Sequence, residues 1–155
     1  MSQALLRLNV ALCMFASVNN IHSKHVALLG WWELVSCEVE FQASAERVLM
    51  YDTPAHGFLV FEPGGRMMAL VEARYSDARA PRGMAYTGRY RVNGNQWLTD
   101  VDAACGMEWT GSIQERFFEI ESDRLHVCSA WCVSRHHGGE TVRAWLVWKR
   151  MTGPA

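Results

Sequence analysis

Eight short runs rich in apolar and aromatic residues follow one another from about residue 30, and this pattern constrains the fold most. Turns or loops separate the runs, and such spacing is typical of an all-β sandwich or barrel. Asn93-Gly94 marks one tight hairpin, because a two-residue type I′ turn needs the positive φ that these residues tolerate. The predicted strands are Trp32–Phe41, Gly57–Phe61, Arg66–Ala73, Tyr86–Val92, Gln96–Asp102, Gly111–Ile120, Leu125–Trp131 and Thr141–Arg150.

The connections between these runs are mostly short, which describes an up-and-down antiparallel meander. Such a meander hides its two edge strands either by folding into two sheets or by closing on itself. Closure with eight strands leaves an interior for side chains or for one small ligand. The chain has 155 residues, half of them hydrophobic, which is enough for one domain with a sizeable core.

The first 28 residues differ from the rest, because the first acidic residue is Glu33 and the opening stretch is apolar. Arg7 and Asn9 interrupt that stretch, and it is too short to cross a bilayer. We expect an N-terminal extension over residues 1–28 that forms a short helix and packs on, or plugs, the following domain. A weak targeting segment is the alternative.

Charge and motifs exclude several classes of function. A net charge of −1 without a basic stripe argues against nucleic-acid binding. Phosphate-binding loops and nucleophile-elbow motifs are absent from the sequence, so no nucleotide cofactor is expected. The five cysteines lack a CxxC pair, and His136-His137 has no ligand partner at metal spacing, so no metal is expected. We interpret the cysteines as mostly buried free thiols in a reducing cytoplasm.

The stretch Gly30-Trp31-Trp32-Glu33-Leu34-Val35-Ser36 resembles the lipocalin signature, and its extended form is similar to small microbial lipocalin-like domains of the calycin type. Further matches in order are Gly57–Phe61, Pro63–Ala69, Ala85–Tyr90, Arg116–Phe118, Asp123–Leu125 and Trp148–Arg150. The resemblance covers residues 29–151 and implies an eight-stranded antiparallel lipocalin-like barrel there. It also implies that Trp32 closes the barrel floor and that Arg150 lies across it, as a guanidinium stacked on an indole would.

The resemblance further implies an interior that takes one small, largely apolar molecule. Some lipocalin-like proteins of natural-product pathways are cofactor-free cyclases or isomerases, whereas others only bind their ligand. We therefore expect capture of a polyketide- or terpenoid-like metabolite, followed by its cyclisation or isomerisation without a cofactor. The alternatives are a carrier without turnover, and a structural dimerisation module with a filled interior.

Four residues are candidates for polar catalytic roles. Tyr86 and Tyr90 share one face of a strand, with Gly88 between them leaving space, and they would line the interior or pack in the core. His126 alternates with apolar neighbours and is a candidate proton shuttle or an exposed histidine. Glu38 has the same parity as Trp32, so it faces inward unless the strand bends after Ser36.

Aromatic and methionine side chains are the candidates for the ligand-binding wall. The predicted wall consists of Trp97, Met68, Trp109 and Trp131, although such residues also fill cores or form homodimer surfaces. Strand parity places Asp100 and Asp102 in solvent, opposite the set that contains Trp97, Thr99, Val101 and Ala103. Glu115 and Arg116 point to opposite faces, so one of them enters the barrel or its mouth.

Overall fold

The computed structural model describes residues 23–51, 53–73 and 82–152, and within them the chain forms ten strands. Residues 23–28 are helical, and Arg135–His137 form a single 3₁₀ turn. Residues 1–22 of the predicted extension lie outside the described residues. The strands are β1 Gly30–Phe41, β2 Arg47–Leu49, β3 Ala55–Phe61, β4 Arg66–Ala73, β5 Arg82–Asn93, β6 Gln96–Cys105, β7 Ile113–Glu121, β8 Arg124–Ser129, β9 Cys132–Ser134 and β10 Glu140–Arg150.

The sheet closes into a barrel. Successive long strands pair antiparallel from β3 to β8, β8 pairs with β10, and β10 pairs with β1 from Trp32–Arg150 to Phe41–Val142. β1 also pairs with β3, so eight strands form the closed ring. Short β2 pairs with the C-terminal part of β1, and short β9 pairs with the N-terminal part of β10. This confirms the predicted eight-stranded antiparallel barrel.

One end of the barrel is closed by the helical residues 23–28. The Trp32 indole nitrogen donates to the Leu28 carbonyl at 2.9 Å, and Leu28 is fully buried. The Arg150 guanidinium lies 4.0 Å from the Trp32 ring and donates to the carbonyls of Ala27 and Leu29. We call this end the floor and the opposite end, where β1 finishes at Phe41, the mouth.

A bulge in β1 changes which residues face inward. The register with β10 shifts between Leu34 and Ser36, because Val35 is the extra residue, and a one-residue shift exchanges the two faces of a strand. Trp32 and Leu34 are buried before the bulge, and Cys37 and Val39 are buried after it. Glu38 therefore lies on the outer face, which corrects the inward orientation expected from simple alternation.

A second irregularity lies between β5 and β6, where the register shifts at Thr87 and Gly88. Ala104 consequently packs against the core, whereas Ala103 is exposed. A Cβ on Gly88 would overlap the Asp100 carbonyl oxygen, so the glycine allows the backbones of β5 and β6 to approach closely. The space next to Gly88 is thus occupied by β6, which corrects the expectation of open space between the tyrosines.

No helix in the described ranges is long and apolar enough to cross a membrane.

Candidate functional site

The half of the interior nearest the floor is an aromatic core. The Phe61 ring makes edge contacts with Tyr90 and Trp97, at centroid distances of 4.9 and 5.1 Å. Trp97 in turn packs on Phe118 at 5.6 Å. These side chains come from the inner faces of β3, β5, β6 and β7, so alternation along four strands concentrates aromatic area here.

Arg116 is a charged side chain at an inner position of the barrel wall, on the same face of β7 as buried Phe118. It lies on β7 directly opposite Trp97 on β6 and is only 8% exposed. Its Nη1 donates to the Glu115 carbonyl at 2.7 Å, while both terminal nitrogens lie 3.4 Å from the Gln114 side-chain oxygen. The ion pairs among the described residues do not include Arg116.

Two aromatic side chains face the Arg116 guanidinium from the mouth. Its central carbon lies 5.4 Å from the Trp109 ring and 5.9 Å from the Tyr86 ring. Tyr86 and Trp109 contact each other edge-on at 5.3 Å. Burial raises the pKa of the Tyr86 phenol, and the charge of Arg116 opposes that rise. The phenol is therefore protonated at neutral pH and can donate a hydrogen bond.

Two buried polar atoms in the same region have no hydrogen-bond partner within the described part of the chain. They are the Trp97 indole nitrogen Nε1 and the Thr99 hydroxyl Oγ1. Thr99 lies opposite Gln114, one inward position beyond the Trp97–Arg116 pair. A buried unsatisfied polar group costs about 1–3 kcal/mol, so each such atom in a native interior requires an explanation, and a bound water, ion or ligand is one of them. We call Tyr86, Trp97, Thr99, Trp109 and Arg116 the Arg116 group.

The sequence offered Tyr86 as a catalytic candidate and Trp97 and Trp109 as wall candidates, and the structure places all three around Arg116. Thr99 was not among the candidates, and the choice between Glu115 and Arg116 was left open. The opposite parities of Glu115 and Arg116 already indicated that one of them faces the interior. The pairing with β6 decides between them, because Arg116 lies opposite the inward Trp97. Thr99 shares the parity of Trp97, and its hydroxyl makes it the polar member of an otherwise apolar face.

Tyr90 lies in the interior, but its hydroxyl is directed to the floor. It lies 2.7 Å from His25 Nε2 on the N-terminal helix and donates to the Glu62 carbonyl at 3.4 Å. Burial, with a smaller contribution from the charge of Glu62, raises the pKa of Tyr90 to about 12. This phenol holds the helix on the barrel and is not aimed at the Arg116 group.

The side chains of four other predicted site residues do not face the barrel interior. His126 faces outward from β8, because Leu125 and Val127 take the inner positions, and it lies 4.0 Å from Glu121. Met68 is exposed on β4, and its neighbour Met67 takes the inner position predicted for it. Trp131 follows β8 and is partly exposed beneath the Arg143 guanidinium at 4.4 Å. Glu38 is directed outward by the β1 bulge.

The outer face near the mouth carries a compact charged cluster. Arg143 donates to Glu40 at 2.8 Å, and this hydrogen bond holds the pKa of the Glu40 carboxyl below its usual value. Trp145 lies beneath both Arg47, at 3.8 Å, and Arg143, at 5.3 Å. Because Arg47 lies on β2, these contacts fasten β2 to the barrel, which is a structural role.

Four of the five cysteines lie in the described part of the chain. Cys37 and Cys128 are buried, whereas Cys105 and Cys132 are exposed, so burial is less general than predicted. Desolvation raises the pKa of Cys37 to about 12, and its sulfur contacts that of Met50 at 3.4 Å. Among the described residues, no three His, Cys, Asp or Glu side chains are grouped as a metal site would require.

A shallow pocket of about 410 Å³ lies on the outer surface of β3 and β4. Its lining includes Phe58, Leu70, His56 and Glu72, which are directed away from the interior, and Gly57. This pocket is therefore separate from the Arg116 group. It is a second surface on which an apolar molecule could bind, so a binding experiment has to distinguish it from the interior.

A comparison with family models finds one match, described as a lipocalin-like domain, over residues 72–151. The match spans β5 to β10 and so contains all five members of the Arg116 group. The search among curated proteins finds no match.

Proposed function

Since the chain belongs to the lipocalin-like domain family, whose barrel suggests binding of a small hydrophobic ligand, we propose that it binds one such molecule between the aromatic core and the mouth. The observation that carries this proposal is the pair of unsatisfied interior atoms, Trp97 Nε1 and Thr99 Oγ1. The surrounding wall is apolar and aromatic with a few convergent polar groups, which is the usual composition of a small-molecule site.

Filling the interior tests the location of the site. Ala69 is buried on the inner face of β4, directly opposite Tyr86. We expect Ala69→Trp to weaken binding of the neutral fluorescent probe N-phenyl-1-naphthylamine by about tenfold or more, because the indole takes the space beside Tyr86. A fluorescence titration measures this, and circular dichroism reports whether the barrel is retained.

The matched control is Ala103→Trp, which adds the same side chain at an exposed position on β6. It is expected to bind the probe as the unmodified chain does. Ala69→Leu serves as the milder interior variant if Ala69→Trp does not fold. A folded Ala69→Trp variant with unchanged affinity would move the binding site out of the barrel, with the pocket at Phe58 and Leu70 as the next candidate.

We also propose that the bound molecule is a polyketide- or terpenoid-like intermediate that is cyclised or isomerised without a cofactor. The support is Tyr86, a protonated phenol held beside the Arg116 guanidinium, where it can donate to a carbonyl or enol oxygen. Holding a flexible substrate in a reactive conformation lowers the activation barrier by itself, so such a reaction needs few catalytic groups beyond one hydrogen-bond donor.

The Tyr86→Phe variant tests whether the protein converts its ligand or only carries it. Both proteins would be purified from the natural host, and their bound molecules extracted and compared by chromatography and mass spectrometry. We expect equal occupancy but a different bound species, because the variant retains the precursor. The same molecule in both proteins would contradict turnover through Tyr86 and support a carrier.

A cytoplasmic location and a homodimer stay predictions. In support of a dimer, the outer faces of β1, β3 and β4 bring exposed Trp31, Phe58, Met68 and Leu70 close together. Contiguous apolar surface of this kind favours association between copies. Light scattering of the purified chain over a range of concentrations measures it.

A further inference from the structure

The polar side chains of the Arg116 group are rich in hydrogen-bond donors. A guanidinium and an indole nitrogen only donate, and a threonine hydroxyl or a phenol can donate. Arg116, Trp97 and Thr99 therefore bring N–H and O–H groups to buried inner positions, together with Tyr86. A ligand that completes this arrangement has to supply acceptors.

The charge of Arg116 makes the requirement more specific. Buried charges are normally paired, because removing an ion from water costs several kcal/mol even after relaxation. Arg143 shows the usual solution in this chain, with Glu40 at 2.8 Å. Arg116 is more buried than most arginines, yet in the described ranges its close hydrogen bond is to a backbone carbonyl, and its contact with Gln114 is long, at 3.4 Å.

The aromatic neighbours do not replace a counter-ion. Trp109 and Tyr86 lie 5.4 and 5.9 Å from the guanidinium carbon, near the outer limit for a cation–π contact. The remaining N–H groups of Arg116 thus have capacity for two parallel hydrogen bonds to a planar anion. A carboxylate has that geometry, and it accepts without donating.

We propose that the ligand is an amphipathic organic acid whose carboxylate binds Arg116, with Trp97 and Thr99 as further donors. Its apolar part lies against Tyr86, Trp109 and the aliphatic side chains of the inner wall. This inference rests on the proposed function and narrows it from a small apolar molecule to an apolar carboxylic acid.

The test compares a carboxylic acid with its neutral ester on the full chain. The probes are 11-(dansylamino)undecanoic acid and its methyl ester, which have the same fluorophore and apolar chain. We expect the acid to bind about 10- to 100-fold more tightly than the ester, as is typical when a charged hydrogen-bonded group is matched. Arg116→Met is expected to reduce that preference to about twofold or less, measured as the ratio of the two dissociation constants.

Two further variants separate the causes. Arg116→Lys keeps the charge but not the planar fork, so a partial preference for the acid is expected. Arg91→Met removes an exposed arginine that pairs with Asp100, and it controls for the change in net charge. If Arg116→Met does not fold, the acid–ester comparison on the unmodified chain and on Arg116→Lys still decides the question.

The outcomes also distinguish this inference from the proposed function. Equal binding of acid and ester to the unmodified chain, or a preference that survives in folded Arg116→Met, would overturn the carboxylate proposal while leaving interior binding intact. Failure of both probes and of N-phenyl-1-naphthylamine to bind would instead overturn the proposed function, and with it the inference.

Discussion

Replacing Trp32 with alanine is expected to lower the free energy of unfolding by about 4 kcal/mol, which is within the usual range when a buried aromatic side chain is replaced by alanine. The indole is fully buried, and it donates to the Leu28 carbonyl and lies beneath Arg150. Its removal would thus create a cavity and weaken two contacts at the floor. Urea unfolding followed by circular dichroism measures the change.

The neighbouring residue provides a matched control. Trp31 differs from Trp32 only by one position in β1, but it faces outward and is 47% exposed. We expect Trp31→Ala to cost less than about 1 kcal/mol, as is usual for surface substitutions. Equal losses for the two variants would contradict the assignment of Trp32 to the floor.

Gly88→Ala is expected to lower the free energy of unfolding by about 2 to 3 kcal/mol, the usual cost of forcing an extra carbon into a packed region. The new methyl group would overlap the Asp100 carbonyl oxygen and crowd the Thr99 side chain. Relief requires β5 and β6 to separate at their bulge, which is a backbone movement. The same urea titration gives the magnitude.

Gly64→Ala is the control for this change. Gly64 lies in the turn between β3 and β4, where a Cβ meets no atom within 4 Å. We expect the free energy of unfolding of the Gly64→Ala variant to be unchanged or slightly higher, since alanine restricts the conformations of the unfolded chain. If Gly88→Ala were as well tolerated as Gly64→Ala, the close approach of β5 and β6 would not be a constraint.

Most of the strand pattern could be predicted because turn residues and alternation are local signals. The β5–β6 hairpin forms next to the predicted Asn93-Gly94, but Asn93 pairs with Gln96, so Gly94 and Asn95 make the turn and only Gly94 of the two has positive φ. Asp100 is exposed and its neighbour Thr99 is buried, as parity indicates. The same rule failed where the backbone adds a residue. Alternation from Trp32 points Glu38 inward, but the Val35 bulge exchanges the faces, and no residue type in the sequence marks that bulge.

The candidate site was less predictable for a different reason. Adjacent residues of similar character, such as Met67 and Met68, offer both parities, so only the strand pairing decides which one is inside. Arg116 was visible as one of two alternatives, yet a charged residue at an inward position contradicts the usual burial pattern. Arg116 stands out in the structure because it has no ion-pair partner among the described residues. Which side chains face each other across a barrel depends on strand pairing and not on the neighbouring sequence.

The pairing of β1 with β10 has a consequence for how this chain folds. It joins the first and last strands of the ring, so the pairing that completes the barrel connects the strands that are farthest apart in sequence among those described. Bringing such segments together costs loop-closure entropy before any stabilising contact forms. During synthesis, the barrel therefore cannot close until β10 has left the ribosome, and until then β1 and β8 lack the partner that covers their remaining edges.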